Sequence, residues 1–526
     1  MDPAFIESLR DPAIYPEKPD RVGILQTHLS VVVLSGDYAY KFKKSIRLPF
    51  ADFTDPENRR WLCQEEVRLN RRLCPRIYEE VVELRRDASG RLRLGGTGEL
   101  VDCAVKMRRL PQERMMDVLL EEGRVTEAEV IAVARRVIAF HRDAERGPAV
   151  DAAGDPRKLC GFALANFSET RGFFPEALHR ALEERTREDF DRLLPLLMER
   201  AASGCLVDGH GDLHARNICL VEPPAIYDCI EFCPAFRCGD TALEHAFLLM
   251  DLRFRGHPEL ARRYLDIVLE ESGDDTIGRV LPLFMRYRAM VRAKVAAITA
   301  GEGEFTGAER AAAKETAHRY FRLAAALAVE DGAPRWLLCC GLPASGKSVA
   351  ASALAAASGG AWPVLSSDRI RKELAGVSAT DRLPAAFYGE AFSKRTYGEL
   401  LARAVAATTP GGVVIIDANF RSRAGRKRFR EAAGAAGAAC DLLFLEPGEE
   451  TALERLRIRS AEGGSVSDAD GAVYEALKRE FDVPEAGEAD RFIRLPGVGE
   501  PGAVADDCFE RWLGAAPRDA PGTTGP

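Results

Sequence analysis

No apolar run in the 526-residue sequence approaches the roughly 18 uncharged residues of a membrane span. The opening stretch, MDPAFIESLRDP, has charges and prolines where a secretory signal needs a continuous apolar segment. A soluble, cytoplasmic protein with no membrane partner is the expectation. CxxC pairs do not recur, so the 13 cysteines read as buried thiols rather than a disulfide framework. Cys219, Cys229, Cys233 and Cys238 lie near His210 and His214, but their spacing matches no zinc finger or ribbon. An excess of positive charge is missing as well. Lys and Arg total 73 against 81 Asp and Glu, a net charge of -8, which argues against a protein that coats nucleic acid. Internal repeats at a fixed period are absent, and low complexity is confined to the end, where residues 515–526 are too polar and Pro/Gly-rich to pack and are expected to form a disordered tail. What is present is a globular composition, 46% apolar and 29% charged. The length allows two to four domains at about 150 residues each.

Residues 21–50 alternate apolar runs with turn signals, as a strand hairpin does, and a charged helix is predicted from about Pro56 to Leu73. Residues 126–200 and 240–330 carry mostly helical patterns. Beyond Gly332 the runs WLLCC, VVIID and DLLFL alternate with helical segments, the rhythm of a parallel sheet with crossover helices. The domain boundaries read as 1–330 and 331–514.

The first cluster of chemically suggestive residues is His210-Gly211-Asp212-Leu213-His214-Ala215-Arg216-Asn217, followed by Ile226-Tyr227-Asp228. Phosphoryl transfer from ATP needs a carboxylate to take the proton of an attacking hydroxyl, and oxygen ligands to hold magnesium against the phosphates. Asp212 and Asn217 stand five positions apart, and Asp228 follows eleven past the Asn; base, metal ligand and second metal ligand fit those places. His210 and His214 read as loop scaffold. A phosphate lysine is expected on the strand AYKFK, with Lys41 the first candidate and Lys43, on the same side of the strand, its competitor. Glu66 falls on the apolar stripe of the following helix with Leu62, Leu69 and Leu73, where a carboxylate needs a partner.

HGDLHARN, IYDCIEF and AYKFKK resemble the aminoglycoside phosphotransferase family, the small-molecule branch of the protein-kinase-like fold, over roughly residues 20 to 300. The resemblance implies an α+β two-lobed domain and makes AVKMRRLP the segment that contacts adenine through its backbone. One departure concerns the loop over the phosphates, where Leu34-Ser35-Gly36-Asp37 offers a single glycine.

The second cluster, Gly341-Leu-Pro-Ala-Ser-Gly346-Lys347-Ser348, follows an apolar run and precedes a helical one, the strand-loop-helix setting of a G-x4-G-K-[ST] phosphate loop. In that setting Lys347 reaches the β- and γ-phosphates, Ser348 ligates magnesium, and Asp417, closing VVIID, is a second magnesium carboxylate. Asp368, after the apolar VLSS, is placed at a strand end as a base or as a helix cap, and Arg371 one turn on can hold an anionic substrate group. Arg455, Arg457 and Arg459 are lid candidates. GLPASGKS, SSDRIRKEL, VVIIDANF and RLRIRS resemble P-loop kinases of the polynucleotide 5′-kinase and zeta-toxin type, which makes Asp368 the base, Arg371 the substrate arginine and Arg459 the best lid residue. The whole chain resembles a bacterial two-domain family of bifunctional aminoglycoside phosphotransferase and ATP-binding proteins.

From residue 331 onward 24 Lys and Arg face 27 Asp and Glu, so nucleic acid is a less favoured partner than a small-molecule hydroxyl acceptor. One exception is the run Arg421, Arg423, Arg426, Lys427, Arg428 and Arg430, which is either a polyanion site or the solvated face of a helix. The reading is an ATP- and Mg2+-dependent phosphotransferase with two nucleotide sites. Its rival is a regulatory protein in which the first half only binds ligand and the P-loop half is an ATPase switch.

Overall fold

The computed structural model describes residues 2–48, 51–303, 305–330, 332–462, 469–497 and 499–514, and the side chains of residues 48, 385 and 459–462 are not described. The expected tail at 515–526 lies outside the described residues. The chain forms two compact units, the first from Met1–Leu159, Leu193–Arg255 and Glu259–Leu281, the second from Cys160–Arg192, Gly256–Pro258 and Pro282–Pro526. Compactness therefore does not follow chain order, since helical segments before residue 330 belong with the P-loop unit.

In the first unit an antiparallel sheet is built from β1 (Val22–Gln26), β2 (Ser30–Ser35), β3 (Tyr38–Lys43), β4 (Tyr78–Arg86), β5 (Leu92–Leu94) and β6 (Glu99–Arg108), in the order β1-β2-β3-β6-β4-β5. Side chains alternate across a strand. Val31, Val33, Tyr40 and Phe42 therefore pack on one face with Leu9, Ile14 and Tyr15 of the N-terminal arm. The other face carries Lys41 and Lys43 and receives helix α1 (Pro56–Asn70) through Cys63 and Val67. Asp55 caps α1 by accepting from the Asn58 N–H at 3.3 Å, and Pro56 occupies its first turn. The segment Leu34–Asp37 is the end of β2 and its two-residue turn into β3 (Ser35 pairs Tyr38), whereas the β1–β2 connection is Thr27-His28-Leu29, without glycine.

The second lobe of this unit is mainly helical, with α2 (Glu127–Asp143) and α3 (Thr241–Phe254) and two small antiparallel pairs. One pairs β7 (Leu206–Asp208) with β10 (Cys238–Asp240), and the other pairs β8 (Ile218–Cys219) with β9 (Ala225–Ile226).

In the second unit β11 (Arg335–Cys340), β12 (Val364–Ser366), β13 (Val413–Asp417), β14 (Ala439–Leu445) and β15 (Arg491–Leu495) form a wholly parallel sheet ordered β12-β13-β11-β14-β15. Helices α4 (Lys347–Ala357), α5 (Ser367–Ala375), α6 (Glu390–Ala406), α7 (Arg423–Ala435), α8 (Glu449–Glu462) and α9 (Pro501–Gly514) surround it. On one face Leu338, Ile416 and Leu442 pack against Leu400 of α6 and Phe429 of α7. Burial on both faces explains why β11 reads as a continuous apolar run. The architecture is an α+β, two-lobed region followed by an α/β P-loop domain with a parallel sheet. Among the described residues no helix is long and apolar enough to cross a membrane.

Candidate active sites

The first site forms where β3, α1 and the β8–β9 hairpin meet. Pairing Ile218 with Ile226 makes neighbours of Asn217 and Tyr227, whose N–H donates to the Asn217 carbonyl at 3.0 Å. Separation along the chain thus becomes adjacency, and Asp228 follows directly. Asp228 adopts a left-handed backbone at φ +63, a conformation that costs energy for a residue with a Cβ and is common at functional positions. Lys41 Nζ lies 2.5 Å from Asp228 Oδ1 and 2.8 Å from Glu66 Oε1. Lys43 Nζ lies 2.7 Å from Glu66 Oε2 and also pairs with Glu231. Glu66 is fully buried; burial alone would raise its carboxyl, but Lys41 and Lys43 hold it down at about 2. The Lys41 ammonium is disfavoured by burial, yet Asp228 and Glu66 raise it well above its ordinary value. Glu231 is pushed up by burial against the pull of Lys43.

Asp212 is gripped from the loop itself. Asn217 Nδ2 donates to Asp212 Oδ2 at 3.1 Å and to its carbonyl at 3.0 Å, and His214 Nε2 is 3.4 Å from the same carboxylate. Burial lowers the His210 imidazole below its ordinary value. A neutral ring suits its contacts: Nε2 donates to the Tyr227 carbonyl at 3.0 Å, and Nδ1 accepts from the Asp212 N–H at 3.3 Å.

The sequence reading missed two residues on α3. Glu244 accepts from the His210 N–H at 2.9 Å and the Gly211 N–H at 2.5 Å; Asp251 accepts from the Ala215 N–H at 2.9 Å. Seven residues apart, they lie on one face of the helix and bracket the Asp212 loop. Burial raises Glu244, but His141 and the loop donors hold it at about 2. Their signal was available, since carboxylates within the largely apolar EHAFLLMDL segment must be buried and must find donors. Gly211 itself has φ +84, and a Cβ there would stand 2.8 Å from the Phe236 carbonyl oxygen. Gly211→Ala is expected to destabilise this unit by about 1–3 kcal/mol and to lower turnover with it, read as a drop in the midpoint of chemical denaturation; an unchanged midpoint would show that the loop relaxes freely.

In the second unit Gly341 to Ser348 joins β11 to α4. A Cβ on Gly341 (φ +151) would lie 2.5 Å from the Leu445 carbonyl oxygen and 2.6 Å from Ser345 Oγ, so only glycine leaves the loop its curl. Gly346 is the residue before α4 and cannot cap it by a side chain, which leaves the first N–H groups of the helix for an anion. Lys347 Nζ donates to the Leu342 carbonyl at 2.8 Å and approaches Ser345 Oγ at 3.4 Å. Burial pulls its ammonium below the ordinary lysine value, with Asp417 and Asp368 opposing. Ser348 Oγ donates to Asp417 Oδ2 at 2.7 Å.

Asp368 lies in the first turn of α5, whose N-cap is Ser366, so the helix-cap alternative for Asp368 falls away. Arg371 is buried, donating to the Phe387 carbonyl at 2.8 Å and to Ser393 Oγ at 3.3 Å, with its guanidinium 5.0 Å from the Tyr388 ring centroid. The Arg459 side chain lies outside the described residues. Arg455 reaches the phosphate loop, donating to the Ala344 carbonyl at 3.2 Å and the Gly497 carbonyl at 2.9 Å. Arg457 pairs at the surface with Glu454.

The basic run is largely neutralised by an acidic segment of the same unit. Arg421 pairs with Glu480, Arg423 with Glu485 and Glu488, buried Arg426 with Glu488, Lys427 with Glu431, and Arg430 with Asp490. A polyanion site there is disfavoured, because five of its six cations already have carboxylates.

Among the described residues no three or more His, Cys, Asp or Glu form a metal cluster. Magnesium does not require one, since it keeps waters and takes one or two protein oxygens beside substrate phosphates. The Ser348 hydroxyl and Asp417 carboxylate, adjoining the P-loop cradle, fit such an ion. So does Asp228, whose side chain is 43% exposed.

Comparison with known proteins places the chain. The AAA domain family (AAA_33) matches residues 337–484. The uncharacterized protein Rv2004c of Mycobacterium tuberculosis is 31% identical over 408 residues, 76% of this chain and 78% of that protein. The chain belongs to this protein's family. Among solved structures, a choline/ethanolamine kinase family protein from Mesorhizobium loti is 12% identical, covering 62% of this chain and 94% of that one at a TM-score of 0.38. A gluconokinase from Sinorhizobium meliloti 1021 is 19% identical, covering 34% of this chain and 92% of that one at a TM-score of 0.25. The aligned 408 residues exceed either compact unit, so the likeness extends into both.

Proposed function

We propose that the protein is an ATP- and Mg2+-dependent phosphotransferase with two nucleotide sites, each passing a γ-phosphate to a hydroxyl of a small-molecule acceptor. The functional regions are taken as 1–330 and 331–514. One observation carries the reading: Asp212, held by Asn217, and Asp228, paired with Lys41, which in turn pairs with Glu66, are tied to one another through His210, whose ring bonds the Asp212 N–H and the Tyr227 carbonyl, an arrangement phosphoryl transfer can use. In the first site Asp212 takes the proton of the acceptor hydroxyl, Lys41 moves to the phosphates, and Asn217 and Asp228 hold magnesium. In the second, the N–H groups of Gly341–Ser348 and Lys347 cradle the phosphates, Ser348 and Asp417 hold magnesium, Asp368 is the base, Arg371 recognises an anionic group on the acceptor, and an α8 arginine, Arg459 or Arg455, which reaches the phosphate loop, covers the transferring phosphate. All 13 cysteines are free thiols, which suits a reducing cytoplasm where ATP is abundant.

The test is ATP turnover with magnesium, alone and against sugars, aminoglycosides, nucleosides and 5′-hydroxyl oligonucleotides. Acceptor-dependent release of ADP with a phosphorylated product supports the proposal. Acceptor-independent hydrolysis alone, insensitive to change at Asp212, would make the regulatory ATPase the better account.

A further inference from the structure

Two lysines and three carboxylates form a chain in the first site: Asp228, Lys41, Glu66, Lys43 and Glu231, linked in that order by ion pairs. Its ends lie three residues apart on one segment, so the chain closes into a ring joining β3, α1 and the strand-end loop after β9. The two lysines differ. Lys41 is 15% exposed and holds Asp228, itself 43% exposed, whereas Lys43 is 2% exposed between Glu66 at 0% and Glu231 at 7%.

Lys41 cannot serve a polyphosphate while it holds Asp228, and Asp228 cannot take a metal while Lys41 covers it. Binding of a nucleoside triphosphate with its metal must therefore divert Lys41. If Lys41 were the sole cation here, that step would leave Glu66 sharing one ammonium with the phosphate and would free the Asp228 segment from β3. Lys43 removes both problems, because it gives Glu66 a second, permanent cation and ties Glu231 to the same strand. Resting on the phosphotransferase reading of this site, we propose that Lys43 and Glu231 are a buried positioning couple, which anchors Glu66 and the Asp228 segment so that Lys41 is free to exchange Asp228 for the phosphates of a nucleoside triphosphate. Lys43 is thereby a positioning residue and Lys41 the one that touches nucleotide.

An acyl-phosphate derivative of ATP separates the two roles. Its acyl group passes to a lysine amine lying beside the polyphosphate: the amide bond forms, the acyl–oxygen bond to phosphate breaks, the nucleotide departs, and the ammonium proton goes to solvent. Peptide mapping then reports Lys41, Lys43 and Lys347 separately in the full-length protein. We expect acylation at Lys41 and not Lys43 in the wild type. In Glu231→Gln, and in the double variant Lys43→Met with Glu231→Leu, the ATP concentration that half-protects Lys41 should rise about tenfold or more, while protection of Lys347 stays unchanged; Lys43→Arg should restore most of the loss. The double variant replaces a buried ion pair by apolar groups of similar size, a change that commonly preserves folding, so it decides the matter if Glu231→Gln does not fold. Wild-type protection of Lys41 in both variants, or acylation of Lys43 in the wild type, would overturn the couple. No acylation at Lys41 in the wild type, with Lys347 still labelled, would instead sink the nucleotide reading of the first site, a distinct outcome.

Discussion

Replacing Asp212 by Ala is expected to lower phosphorylation by the first site by about 100- to 10,000-fold, the range a positioned general base contributes. The carboxylate is oriented by the Asn217 amide at 3.1 Å and approached by His214 at 3.4 Å, so its aim is set before an acceptor arrives. Its removal leaves Lys41, Glu66 and Asp228 intact, so nucleotide affinity should change little. The effect should therefore appear in kcat with the KM for ATP near its original value. Asn217→Ala should fall between, since it loosens the base and removes an oxygen ligand together. Equal kcat in wild type and Asp212→Ala, with any acceptor that the wild type phosphorylates, would remove Asp212 from the chemistry.

Lys347→Ala should abolish nucleotide use by the second site, with at least a 100-fold loss of turnover, the scale of deleting one preorganised charge-stabilising donor. The ammonium is held at the mouth of the loop by the Leu342 carbonyl, with Asp417 and Asp368 nearby. Burial lowers its ordinary value, so Lys347 gives up its proton at a lower pH than an exposed lysine. Binding to this site should accordingly weaken as pH rises into the alkaline range, earlier than in a site with an exposed lysine. Titrating nucleotide binding against pH, with Lys347→Arg as the variant that stays charged, checks both statements. A flat profile in the wild type would show that the bound phosphates keep the lysine fully protonated.

Motifs made of consecutive residues were legible in the sequence. The P-loop is one, because its strand, glycines and helix are contiguous and backbone N–H groups do the binding. The Asp212-to-Asn217 loop is another, since five residues of chain bring the amide to the carboxylate. Glu66 was legible through helical period alone: a carboxylate on an apolar stripe must be paired when buried. The single glycine at Gly36 marks a tight hairpin turn, and of the two readings open for the cations of 421–430 the polyanion surface loses ground, because four of the six pair with acidic residues of 480–490.

Chain order carried the two motif clusters, the strand and helix patterns and the candidate bases. Local geometry and periodicity encode those. Tertiary structure alone decided how Lys41 and Lys43 divide their partners, that Glu244 and Asp251 hold the Asp212 loop from behind, and that Arg455 reaches the phosphate loop. It also decided which helical segments belong to which compact unit. The reason is common to all of these. Two lysines on one face of a strand look the same in sequence, and they become different only when the folded chain brings a distinct carboxylate to each.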